Sequence, residues 1–290
     1  MASGPLLVAI EGVDGAGLTT TSRLLVSMLR GVGVKAVYTK EPSRSIIGDL
    51  TYYASKGIIG FMNTPYMMLM LFAADRMAHL YHLPHEPEPG VVVEGGVLGL
   101  LRRGYVVVSD RYVYSSYVYQ TIGVKAPSIE DVKRVNWFTY PPHILVYLRV
   151  PIEIAARRRL TRHGWGFDVY RDAKAYSEAS RRYEELVKSL ARSPEYCPGE
   201  KPSWLKPGLV EEGDLWIWPK GVCYPVPVVV EEVYEGRELK PEEVTAHTMK
   251  TILCLGAIIG LLEEKFKEYC TEARELASRG LIKVLTGLLK

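Results

Sequence analysis

Glutamine and asparagine are almost missing from this chain of 290 residues: Gln120 stands alone, with Asn63 and Asn136. Scarcity of these heat-labile amides beside plentiful Lys, Arg and Glu suggests a thermophilic source and says nothing about activity. Excess charge is lacking too. A net charge of +3 is too small to hold a nucleic-acid backbone by bulk electrostatics, so no nucleic-acid partner is expected and cationic function must come from local clusters. Cys197, Cys223, Cys254 and Cys270 form no C-x-x-C pair and have no metal-ligand spacing. They are expected to be buried or idle thiols, with a bridge between Cys197 and Cys223 left open. The most apolar stretch, 251–262, is too short to span a bilayer, and residues 1–4 lack the charged start of a secretory signal. A cytoplasmic protein with no membrane partner is the expectation.

What is present is an alternation of short apolar runs and helical periods. Residues 6–10 are continuously apolar, as suits a strand buried on both faces of a parallel sheet. A glycine-rich turn follows, then a helical pattern over 19–30 and a second strand over 34–39. This βαβ order predicts a parallel α/β sheet. Further helices are expected over 46–56, 65–83, 113–121, 128–140, 152–162, 172–191, 241–264 and 267–290. Further strands are expected over 105–109, 144–150 and 226–230. The Pro-, Gly- and Trp-rich stretch 193–227 is long for a connection and reads as a functional or covering insertion. The chain divides into a domain over 1–266 and a C-terminal helical extension over 267–290, either a packing appendage or a dimer surface.

Between the first strand and helix lies Gly12-Val13-Asp14-Gly15-Ala16-Gly17-Leu18-Thr19-Thr20. It satisfies G-x-x-x-x-G-K-[ST] at every fixed position except the lysine, which is Leu18. The glycines let backbone N–H groups wrap a nucleotide's phosphates at a helix N-terminus, and Thr19 offers a hydroxyl to Mg²⁺. Asp110 ends a strand where a carboxylate can face the same Mg²⁺, and Arg111 beside it can grip a phosphate in a fork. Phe72 and Arg76 are four residues apart and share a helix face, an arrangement that suits a nucleobase clamp as well as it suits core and surface.

Taken with Thr39-Lys40-Glu41-Pro42, Leu71-Phe72-Ala73-Ala74-Asp75-Arg76, Asp110-Arg111-Tyr112, Ser115-Ser116 and Tyr119-Gln120, the loop resembles the thymidylate kinase family over about 6–186 and again around 226–230. The resemblance implies a P-loop NTPase fold with five parallel strands flanked by helices. It also implies Mg²⁺-dependent phosphoryl transfer from ATP to dTMP, and a homodimer is compatible with it. By that likeness, Gly12 to Thr20 bind ATP, and Asp14 touches the acceptor sugar or phosphate. Lys40, where the family usually has arginine, and Arg111 contact the dTMP phosphate. Phe72 stacks on thymine, Arg76 hydrogen-bonds it, and Ser116 and Tyr119 line the pocket. A lid over about 157–170 carries Arg157, Arg158, Arg159 and Arg162, the candidates for replacing the charge missing at Leu18, with Arg159 and Arg162 taken as the catalytic pair. Two alternatives stay open: a catalytically impaired homologue that binds a nucleotide or partner, and a kinase for another small acceptor.

Overall fold

The computed structural model describes residues 4–163 and 173–289. In chain order the elements are β1 (Leu6–Glu11), α1 (Leu18–Gly31), β2 (Ala36–Lys40), α2 (Ile46–Ser55), α3 (Pro65–Tyr81), β3 (His85–Glu88) and β4 (Val91–Val93). Next come α4 (Gly96–Arg102), β5 (Val106–Asp110), α5 (Val113–Tyr119), α6 (Ile129–Val135), β6 (Ile144–Arg149), α7 (Ile152–His163) and α8 (Ala173–Arg192). The chain ends with β7 (Val226–Glu231), β8 (Val233–Tyr234), β9 (Arg237–Glu238), α9 (Pro241–Ile258), α10 (Tyr269–Ser278) and β10 (Ile282–Val284). Among the described residues no helix is long and apolar enough to cross a membrane.

The central sheet runs β10-β7-β6-β1-β5-β2, and the pairings among β7, β6, β1, β5 and β2 are all parallel, which gives the five expected parallel strands. Every residue of β1 and β5 is buried, which is why these strands read as unbroken apolar runs rather than as alternation. The chain leaves β1 for β2 on one side and later fills β6 on the other. The β1–α1 turn therefore opens into the crevice at the carboxyl end of the sheet, where ligands of open α/β sheets bind. Helix starts follow their sequence signals. Ser45 caps α2 by accepting from the Gly48 N–H at 2.9 Å, Ser128 and Asp131 form a capping box on α6, and Pro65 and Pro241 open α3 and α9.

Two expectations are corrected, both in the C-terminal part of the chain. The segment 267–290 is not one helix: Gly280, at φ 77°, ends α10, and the β-branched Ile282 and Val284 that follow suit an edge strand. That strand, β10, adds a sixth member to the sheet, antiparallel to β7 through Ile282↔Val230 and Val284↔Val228. The cysteines are not idle thiols either, because Cys197 is bonded to Cys223 and Cys254 to Cys270. Sequence spacing could not show that α9 and α10 pack together with Cys254 and Cys270 only 4.8 Å apart at Cα. The β3–β4 hairpin has no counterpart in the sequence pattern.

The insertion over 193–227 covers the end of the sheet remote from the phosphate loop. Trp218 is buried, its indole N–H donating to the Pro141 carbonyl at 3.1 Å, and Trp204 lies 4.8 Å from it between ring centres. His143, stacked on Trp218, accepts the Leu7 N–H at 2.7 Å and donates to the Ile217 carbonyl at 2.8 Å. Burial lowers the His143 pKa to about 4, so the ring is neutral and serves as a two-ended bridge between the insertion and β1. Arg102 of α4 holds Asp214 through two bonds of 2.7 and 2.6 Å. The covering reading of this insertion is the one its packing supports.

Candidate active site

The glycine turn sits hard against α7. A Cβ at Gly15, where φ is 91°, would come within 2.2 Å of the Ala155 carbonyl oxygen, so only glycine fits there. Gly17, at φ 72°, is the left-handed residue from which α1 starts. Leu18 is buried in the main core, and its Cδ2 lies 3.2 Å from where a Gly12 Cβ would be. It packs inward and carries no charge toward the loop's concave side.

Thr19 and Asp110, which come from different elements, meet: the Thr19 hydroxyl donates to Asp110 Oδ2 at 2.6 Å. The Tyr38 hydroxyl donates to the same oxygen at 3.2 Å. One hydroxyl and one carboxylate beside a glycine-rich turn suit Mg²⁺, which keeps several waters and takes only one or two protein ligands with substrate phosphates. Among the described residues no three acidic, His or Cys side chains converge on a metal, so these two groups would depend on a bound phosphate to complete the coordination.

Arg111 follows Asp110 in a left-handed conformation, φ 72°, which is costly for a side chain of this size and is held by what the guanidinium touches. It pairs with Asp14, donates to the Gly12 carbonyl at 3.2 Å and to Ser115 Oγ at 3.0 Å, and lies over the Tyr119 ring. Behind it Glu11, fully buried, accepts from the N–H groups of Tyr112 and Ser115 and from the hydroxyls of Ser115 and Tyr183. Burial raises the Glu11 pKa, against the pull of Arg111 and these donors.

Arg76 is fully buried. Its Nε donates to Glu41 Oε2 at 2.8 Å, one terminal nitrogen to Asn136 Oδ1 at 2.5 Å and the other to Ser116 Oγ at 3.0 Å. His79, one turn on, stands 3.3 Å from Glu41 Oε1 and 2.6 Å from the Thr39 hydroxyl. Burial pushes the Glu41 carboxyl up, but Arg76 and His79 together hold it below its ordinary value.

Two clefts share this region. One, enclosing about 780 Å³ of space including open solvent, is lined by Phe72, Arg76, Ser116, Tyr119, Gln120 and Arg111. The other, about 1690 Å³ on the same measure, is lined by residues 13–21, Asp110, Arg158 and Arg159. Asp14, Glu41, Pro42, Tyr52, Lys56 and Arg111 line both. The sequence pattern of the thymidylate kinase family matches residues 10–194. This chain belongs to the thymidylate kinase family.

A relative from Aeropyrum pernix, provisionally named a thymidylate kinase, is 36% identical over 192 residues, covering 64% of this chain and 80% of the relative. The thymidylate kinase of Brachyspira hyodysenteriae is 31% identical over 163 residues, covering 55% of this chain and 70% of that one. In fold, the solved structure of thymidylate kinase from Candida albicans matches with a TM-score of 0.55 at 18% identity, over 87% of this chain and 92% of that one.

Most of the sequence-predicted thymidylate kinase residues come together: Asp14, Phe72, Arg76, Arg111, Ser116 and Tyr119 line the first cleft, and the glycine turn, Thr19, Thr20 and Asp110 the second. Lys40 lines only the second, beside Asp110, its partner in the β2–β5 register. Arg162 falls in the last turn of α7, and residues 164–170, half of the expected lid, lie outside the described residues. Arg158 is paired with Glu232 and Glu238 and donates to the Gly15 carbonyl at 3.4 Å, Arg157 is paired with Glu238, and the Arg159 guanidinium is 5.7 Å from the Tyr176 ring centre. Sequence reasoning missed the parts played by Asn136, Gln120, His79 and Glu41. The Gln120 amide is buried on the wall of the first cleft, and neither its oxygen nor its nitrogen has a protein partner. The rarity of amides in this chain was the one signal that could have singled out Asn136 and Gln120.

Proposed function

We propose that the protein transfers the γ-phosphoryl group of ATP to dTMP, giving dTDP and ADP. The carrying observation is the pair of clefts joined through Arg111 and Asp14, one walled by the glycine turn and the other by an aromatic ring with buried amide and guanidinium groups. In this reading Phe72 stacks on thymine. Arg76, fixed by Glu41 and Asn136, presents its remaining N–H capacity to the base, and the unpartnered Gln120 amide takes a donor or acceptor of the base or sugar. Ser116 and Tyr119 bound the pocket, and Arg111 with Lys40 meets the phosphates. Backbone N–H groups of residues 12–20 hold the ATP phosphates. Thr19 and Asp110 would hold Mg²⁺, which supplies charge neutralisation on the phosphates when bound.

Leu18 removes a cation that lowers the barrier, so turnover is expected to be slow for this fold. An impaired nucleotide-binding homologue is the second reading, and Leu18 is the observation that favours it. Coupled turnover of ATP and dTMP at elevated temperature separates the two, with dTMP titration calorimetry alongside. Turnover that requires Mg²⁺ supports the kinase. Tight dTMP binding with no turnover supports the impaired homologue, and absence of binding to dTMP and ATP alike rejects both.

We also propose a homodimer through the face made by α2, the start of α3 and the turn between them. There Ile46, Ile58, Phe61, Tyr66, Met67 and Met70 are all exposed within one stretch of 25 residues, and clustered exposed apolar side chains mark interaction surfaces. Light scattering of the parent and of Phe61→Glu tests it: a dimer that the substitution splits is expected, and a monomeric parent rejects it.

A further inference from the structure

ATP held by the glycine turn must point its γ end at the junction with the first cleft, where Asp14 and Arg111 line both. Its nucleoside end therefore lies toward residues that line the second cleft alone. Among these are Glu232, Leu239, Pro241 and Val244, from the stretch that joins β7 to α9, and α9 packs against α1, the helix that starts at the glycine turn. Leucine, proline and valine give a flat ring an apolar surface to lie on. Glu232 is the exception on that surface. It is 2% exposed, and its backbone is fixed at both ends, the N–H donating to the Arg149 carbonyl at 3.0 Å and the carbonyl accepting from the Leu239 N–H at 2.9 Å. Oε2 accepts from Arg158, whereas Oε1 is buried and has no partner among the described residues. A buried acceptor left without a donor is costly, and on the wall of a ligand cleft the ligand can supply that donor.

We propose that Glu232 Oε1 accepts an N–H of the 6-amino group of adenine, which makes Glu232 the residue that selects the base of the phosphoryl donor. The inference rests on the ATP-binding half of the kinase reading above. One unpartnered oxygen matches one donor. Guanine instead offers adjacent N1–H and 2-amino donors, which suit a carboxylate with both oxygens open, and Oε2 is committed to Arg158. A 6-oxo group in place of the amine sets oxygen against oxygen. Ribose hydroxyls are donors as well, but the apolar neighbours Leu239, Pro241 and Val244 suit the base and not the sugar.

The test is calorimetric titration of the full chain with Mg²⁺ complexes of four triphosphates: ATP, dATP, inosine triphosphate and purine riboside triphosphate, which lacks any 6-substituent. Burial lifts the Glu232 carboxyl to about 7, so titrations at a pH well above that keep it ionised and acceptor-only. In the parent, ATP and dATP are expected within about 3-fold of each other and the other two at least about 10-fold weaker, the loss of one hydrogen bond to a charged group. In Glu232→Gln the amide oxygen takes Arg158 and the NH₂ faces the base, so inosine triphosphate is expected to bind at least as tightly as ATP, with dTMP affinity unchanged. Should Glu232→Gln fail to fold, Glu232→Ala decides: the gap between ATP and purine riboside triphosphate is expected to shrink below about 3-fold. A parent without that gap, or a gap equally wide in the variants, overturns the proposal. So does a gap between ATP and dATP that Glu232→Gln abolishes, which assigns the oxygen to the ribose. A parent that binds no triphosphate overturns this inference and the ATP-binding reading together. A parent that shows the gap but turns over no dTMP rejects the kinase reading alone and upholds the base contact.

Discussion

Replacing Arg76 by methionine is the sharpest test of how the cleft around Phe72 and Gln120 is built. The guanidinium and the Glu41 carboxylate are both almost fully buried, their side chains exposed by 1% and 3% and paired at 2.8 Å. Breaking such a pair by removing one partner costs about 3–5 kcal/mol, because the remaining charge is stranded away from water. At roughly 2–4 °C per kcal/mol for a chain somewhat shorter than this one, the thermal midpoint should fall by about 10 °C. Arg76→Met with Glu41→Gln removes both charges, so much of that loss should return, with a coupling on the order of 1–3 kcal/mol. Binding should behave differently. The bonds from Arg76 to Asn136 and Ser116 vanish in the single and the double variant alike, so dTMP affinity should stay low in both while ATP affinity changes little. Differential scanning calorimetry and separate titrations of the two nucleotides read these quantities. A single variant within about 1 kcal/mol of the parent, or a double variant whose losses simply add, would refute the stranded-charge reasoning.

Gln120→Ala should weaken dTMP binding at least several-fold in direct titration without lowering the thermal midpoint, since its amide has no protein partner to lose; an unchanged Kd counts against its place in the acceptor site. Replacing Cys197 and Cys223 by serine opens a bridge between residues 26 apart in sequence and should cost about 3 kcal/mol in denaturant unfolding, whereas dTMP turnover at moderate temperature should persist because the insertion lies at the far end of the sheet. Glu232 is buried, and burial lifts its carboxyl to about 7 from an ordinary 4.5 even beside Arg158. A raised folded value contributes stability that is whole below pH 4.5 and is lost as pH rises through 7, so stability should fall by up to about 3 kcal/mol across that window, and Glu232→Gln should flatten the slope.

The glycine turn, Thr19 and Asp110 were legible because their chemistry is local: a fixed spacing after an apolar run and a carboxylate ending another. Their meeting at 2.6 Å follows from parallel pairing of β1 with β5, of which the βαβ order implied only the parallel sense and not the partner. Phe72 and Arg76 were legible as a pair on one helix face. That Arg76 is anchored by Glu41 from the end of β2 and Asn136 from the end of α6 was not, since those contacts span 35 and 60 residues with no periodicity to betray them. The C-terminal strand was hidden for a similar reason. Three residues are too few to show alternation, and pairing with β7 is what makes them a strand.

Leu18 illustrates how a catalytic position can be lost without damage to the fold. A lysine there would extend its ammonium over the loop's concave side, whereas leucine turns back toward Gly12 and joins the core. Burying that side chain contributes on the order of 2 kcal/mol, a gain a charged residue would not make. The glycine turn keeps its shape through Gly15 and Gly17 in their left-handed conformations, and neither depends on the residue at 18. The Thr19–Asp110 contact and the Arg111–Asp14 pair do not depend on the residue at 18 either. Selection acting on stability can therefore place leucine at 18 provided some other cation reaches the junction of the two clefts.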